Sequence, residues 1–98
     1  MKFRMIYTPF EGKKEDIKIS DDEVLLNDKS IDCSKEERIN TLISLFSCAE
    51  KWDVNDIANP RYDLYFESKG IVRKYCFDIN MPYNWLIFNA YINRLVRR

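Results

Sequence analysis

Residues 34–52, SKEERINTLISLFSCAEKW, break a chain of period-two alternation with a period of 3.6 residues, and that switch decides where strands stop and a helix begins. Ser34 and Glu37 make a capping-box pattern: the serine oxygen accepts from the amide three residues on, and the glutamate accepts from the serine amide in return. Ile39, Leu42, Ile43, Phe46 and Ala49 then recur at helical spacing and predict one apolar stripe laid on a core. Trp52 is expected to close the base of this helix.

Upstream, KFRMIYT sets Phe3, Met5 and Tyr7 on one side and Arg4, Ile6 and Thr8 on the other, as a strand with one buried face does. EGKKED reads as a turn, IKIS puts Ile17 and Ile19 inward, Asp21-Asp22 breaks the run, and EVLLN resumes it before the polar NDKS loop. The first third is a small β-meander. Downstream, RYDLYFESKGIVRKYCFDI is a β-hairpin by pattern, with Gly70 able to supply the positive φ of the Ser68-Lys69-Gly70 turn. Tyr62, Leu64 and Phe66 share one side of its first strand, while alternation leaves both faces of its second strand open as the buried one.

The last segment, DINMPYNWLIFNAYINRL, predicts a second helix with Asn80 as N-cap and Pro82 in the first turn, where a missing N–H costs nothing. Trp85, Phe88, Tyr91, Ile92, Leu95 and Val96 fall on one broad arc, read as core, and Arg94, Arg97 and Arg98 lie near a C-terminal end whose dipole favours cations. Leu86, Ile87 and Ala90 fall off that arc and mark a second contact surface.

The expected order is therefore β-β-β-α-β-β-α: an α+β fold, with one antiparallel sheet of about five strands and two helices packed on one face. With 98 residues the chain is read as one domain, 1–98, since a domain of this size buries only roughly 60 to 65% of its unfolded surface. No segment has the roughly 18 consecutive apolar residues of a membrane span, and MKFRMIYTPF lacks the apolar run of a signal peptide, so a cytoplasmic protein without membrane contact is expected. Richness in Ile, Asn, Lys and Tyr is that of an AT-rich coding sequence, such as a low-GC bacterium or its mobile elements.

The helix ending in EKW, the hairpin YDLYFESKGIVRKYCFDIN and the stretch MPYNWLIFNAYINRL together resemble a group of small uncharacterised bacterial α+β domains with a hairpin followed by a Pro-x-Asn-Trp/Phe helix start. Here that motif is Pro82, Asn84 and Trp85, and the resemblance spans residues 39–96. Such domains often carry an Asp-Gly turn and a glycine before the motif, where this chain has Lys69-Gly70 and Asp78-Ile79. The resemblance implies the fold and no activity.

Chemistry is narrowed by what is missing. The chain has no histidine, which removes the commonest general base, the usual activator of Ser or Cys, and most zinc and iron sites. Its two glycines, Gly12 and Gly70, cannot build a phosphate-cradling loop. Cys33, Cys48 and Cys76 are odd in number and widely spaced, the pattern of reduced, buried thiols. Asp21, Asp22 and Glu23, with Asp28, lack the alternation and central glycine of a calcium loop and read as a charged turn. No enzyme, cofactor or metal is expected.

What remains is a non-catalytic protein-interaction module, binding another protein or a second copy of itself through Leu86, Ile87 and Ala90 or through a sheet edge. Charge refines this: residues 11–37 hold 10 acidic against 5 basic residues, so Asp21, Asp22 and Glu23 would steer a basic partner, as a small immunity or anti-defence inhibitor does. The alternative is a single-stranded nucleic-acid binder that uses Arg73, Lys74 and Tyr75 of the basic, aromatic hairpin strand, with Arg61 and Tyr65 beside it. The zero net charge weighs against it.

Overall fold

The computed structural model describes residues 1–53 and 60–97. Six strands and two helices follow in order: β1 (Lys2–Thr8), β2 (Glu15–Ser20), β3 (Val24–Leu26), β4 (Lys29–Ser30), α1 (Lys35–Ala49), β5 (Arg61–Ser68), β6 (Ile71–Phe77) and α2 (Tyr83–Val96). The strands form one antiparallel sheet, ordered β4-β3-β2-β1-β5-β6. This is the α+β architecture expected. The sixth strand is the two-residue β4, which lies in the stretch read as a polar loop. Asn27 and Asp28 both take positive φ (51° and 66°), the signature of a type I′ turn, and so fold that stretch back onto β3.

Alternation does what the sequence predicted in β1, β2 and β5. Phe3 sits between Ile19 and Phe66, and Met5 between Ile17 and Leu64, so the central strand buries one row of side chains against both neighbours. The hairpin registers Ser68 with Ile71 across Lys69 (φ 52°) and Gly70 (φ 77°), a two-residue turn whose twist matches that of its strands. This register settles the face of β6: Tyr75 and Phe77 join Leu64 and Tyr62 beneath the helices.

Both helices cover that same face. In α1 the capping box forms as read, with Glu37 N–H donating to Ser34 Oγ at 3.1 Å and Ser34 N–H to the Glu37 carboxylate at 3.0 Å. The buried stripe, however, is Thr41, Leu42, Leu45 and Ala49, while Ile43 is 47% exposed. Thr41 turns its hydroxyl back to the Glu37 carbonyl at 2.8 Å, which lets a polar residue face the core, and the stripe runs through Leu45 instead of Ile43. Trp52 is buried below α1 and touches Phe66, Tyr75, Phe77 and Trp85.

The start of α2 also differs from expectation. Pro82 itself occupies the cap position (φ −59°, ψ 151°), and Asn80 instead donates its N–H to the Asp78 carboxylate at 2.7 Å, ordering the turn before the helix. Trp85, Ile92, Leu95 and Val96 are buried and Phe88 partly so, but Tyr91 is 51% exposed. The inward arc is therefore narrower than the one read from the sequence.

Candidate functional site

Two surfaces of the described residues carry more than a solvated exterior: the outer face of α2, and the face of the sheet that the helices leave uncovered.

Leu86 (50% exposed), Ile87 (48%) and Ala90 stand out to solvent, where their departure from the core arc placed them. At about 100° per residue, Tyr83, Ile87, Ala90 and Arg94 form the centre line of this face, with Leu86 on one flank and Tyr91 on the other. Tyr83 is 74% exposed, and Ile79, just before the helix, is 73% exposed. Residues 79–97 contain no carboxylate, so Arg94 is the one charge on the centre line. Arg97 is turned aside to Glu15 and Asn93. The sequence reading missed Tyr83 and Tyr91. Arg94 was the available signal, because a cation in the same row as Tyr83 and Ile87 marks the solvent side.

On the open sheet face, register brings Lys2, Arg4, Lys18, Tyr65, Glu67, Lys74 and Val72 together. All of these but Lys74 line a shallow depression of about 440 Å³, together with Ser20, Glu23 and Leu25. Arg4 is held by Asp16 through two hydrogen bonds of 3.1 and 2.8 Å, which push its guanidinium pKa further up. Lys74 Nζ lies 5.6 Å from the centre of the Tyr65 ring, a cation–π contact. The trio Arg73, Lys74 and Tyr75 does not form one surface. Strand alternation sends Tyr75 into the core and Arg73 to the helix side, where it meets Glu50 at 2.8 Å, and leaves Lys74 alone on the open face.

At the far end of that face Arg61, Asp63 and Cys76 form a cluster. Arg61 Nη2 donates to Asp63 Oδ1 at 2.6 Å, and the Cys76 thiol donates to the same oxygen at 3.1 Å. Burial pushes the Asp63 carboxyl up, but the bonds from Arg61 and Cys76 and the guanidinium charge outweigh it and hold the pKa below its ordinary value. Burial and the adjacent carboxylate raise the Cys76 pKa, so the thiol stays protonated, the opposite of what a nucleophile requires. Cys33 and Cys48 are free and half-buried.

Asp21, Asp22 and Glu23 form an exposed turn between β2 and β3, closed by Ser20 Oγ accepting from the amides of Asp22 and Glu23. They lie on a different element from Leu86, Ile87 and Ala90. Arg98 falls outside the described residues. Among the described residues no group of three or more Cys, Asp or Glu side chains is arranged to hold a metal ion, and no helix is long and apolar enough to cross a membrane.

No protein family, curated protein or solved structure matches this chain.

Proposed function

We propose that the chain is a non-catalytic interaction module that holds a protein partner on the outer face of α2. The observation that carries this is the row of Tyr83, Leu86, Ile87, Ala90 and Tyr91, apolar side chains set together in water on a helix without a single carboxylate. Scattered apolar residues on a surface need no explanation, but a contiguous row with aromatic ends has the composition of a binding patch. The exposed Asp21, Asp22 and Glu23 would steer a basic partner, which is the inhibitor form of the same reading.

A photo-crosslinking residue placed at position 87, and separately at position 13 in the exposed β1–β2 turn, tests this in cells that make the protein. Adducts formed from position 87 and not from position 13 support the α2 face; adducts from neither or equally from both overturn it.

The open sheet face favours a second reading, a single-stranded nucleic-acid binder, on the observation that Tyr65 lies among Arg4, Lys18 and Lys74. Bases stack on such a ring while cations follow the phosphates. Fluorescence anisotropy with a labelled single-stranded oligonucleotide at low salt tests it. Binding lost in Tyr65→Ala supports this reading, and no binding by the unaltered protein removes it.

A further inference from the structure

We infer that the partner seated on the outer face of α2 is a second copy of this chain, the two α2 helices running antiparallel across a twofold axis. This rests on the reading of that face as a protein contact and names its occupant. Tyr83, Ile87, Ala90 and Arg94 recur at steps of four, three and four, the seam of a helix that packs on another helix. In an antiparallel pair, positions count in opposite directions. An axis level with the midpoint between Phe88 and Asn89 then sets Ile87 opposite the second copy's Ala90, and Tyr83 opposite its Arg94, each twice by symmetry.

Both layers are complementary. A branched side chain meets a methyl, which lets the helices approach closely, and a guanidinium meets the face of a tyrosine ring. On the flanks, Leu86 lies beside the second copy's Ala90, and Tyr91 beside its Ile87. All six outward residues of the helix thus find a fitted counterpart in the same face of a second molecule. The charges agree as well. The two Arg94 residues fall at opposite ends of the pair, about 16 Å apart along the axis and so beyond the screening length of about 8 Å at physiological salt. A parallel pair would instead set Arg94 against Arg94.

The face is one helix wide and about 20 Å long, which keeps the contact under the roughly 1,200 Å² of a standard interface. A contact of that size belongs to the weak, reversible kind.

Sedimentation equilibrium on the full chain tests this, from micromolar concentration up to about 1 mM. The weight-average mass should rise from 11.8 kDa toward twice that value. Ile87→Glu and Ala90→Lys, both at exposed positions, should each weaken the dimer about tenfold or more, with circular dichroism confirming that both variants fold. An equimolar mixture of the two should recover most of the loss, because the mixed dimer joins Glu to Lys in one layer and keeps the native Ile–Ala layer in the other. A protein that stays at 11.8 kDa at the highest concentration, an Ile87→Glu variant that dimerises as the parent does, or a mixture no better than its components would each overturn the inference. Crosslinks from position 87 to some other protein would survive any of these results, so the failure of self-pairing and the failure of the α2 contact are separable.

Discussion

The indoles of Trp52 and Trp85 meet edge to face, with ring centroids 5.6 Å apart and planes inclined by 70°. This contact ties the end of α1 to the first turn of α2 above Phe66 and Tyr62, and it fixes which side of α2 faces the core. Leu86, the next residue along, is turned outward as a consequence. Trp85→Ala should cost about 3 to 5 kcal/mol, a large part of the 5 to 15 kcal/mol that holds a typical domain together. Leu86→Ala should cost less than about 0.5 kcal/mol in the monomer. Urea unfolding at dilute protein concentration compares them, and similar losses in both variants would show that the two sides of α2 are not divided as described.

The Ser34–Glu37 capping box satisfies two amide ends of α1 at the surface, away from the packed core. Ser34→Ala should therefore lower stability by about 1 kcal/mol, seen as a fall in Tm of about 4 to 8 °C for a domain of this size. A thermal melt unchanged by the substitution would mean that α1 is held by packing alone.

The capping box, the strand alternation and the Lys69-Gly70 turn were legible in the sequence because each depends on residues a few positions apart. What was misread depends on tertiary packing. Ile43 sits within helical reach of Leu42 and Phe46, but the packed face of α1 runs through Thr41, Leu42, Leu45 and Ala49 and leaves it outside. Tyr91 belongs equally to two arcs of α2 until Trp52 selects the inward one. Arg73 and Tyr75 look like neighbours of Lys74 along the chain, yet a strand sends alternate side chains to opposite faces, so adjacency in a basic run dispersed the candidate surface instead of building it. Leu86, Ile87 and Ala90 were legible as surplus to one buried face, and the structure leaves all three exposed.

The hairpin turn holds Lys69 at a φ of 52° and Gly70 at 77°, the left-handed region that side chains with a Cβ resist. A Cβ at Gly70 would meet no atom within 4 Å, so any cost there is in the backbone alone. Gly70→Val should destabilise by roughly 1 to 2 kcal/mol, whereas Lys69→Asn, a residue that accepts this conformation, should stabilise slightly. Chemical denaturation of the two variants should therefore give midpoints on opposite sides of the parent, and a gain in both would rule out an I′ turn.

The Arg61–Asp63–Cys76 cluster gives folding stability a pH dependence of known sign. The Asp63 carboxyl titrates below its ordinary value in the folded chain, so it favours folding at pH above the unfolded value of about 4. That contribution is lost as pH falls through the lower folded value. The Cys76 thiol behaves in the opposite sense: its pKa is raised, so nothing is lost below the unfolded thiol value of about 8.5, and stability declines as pH climbs past it toward the folded value. Stability should thus be flat between about pH 5 and 8 and fall on both sides. Asp63→Asn should flatten the acid limb and Cys76→Ala the alkaline one. Urea midpoints from pH 2.5 to 9.5 measure both limbs, staying below the range in which Tyr62, itself raised by burial, begins to titrate. An acid limb equally steep in Asp63→Asn and the parent would show that Arg61 and the Cys76 thiol do not hold this carboxylate ionised.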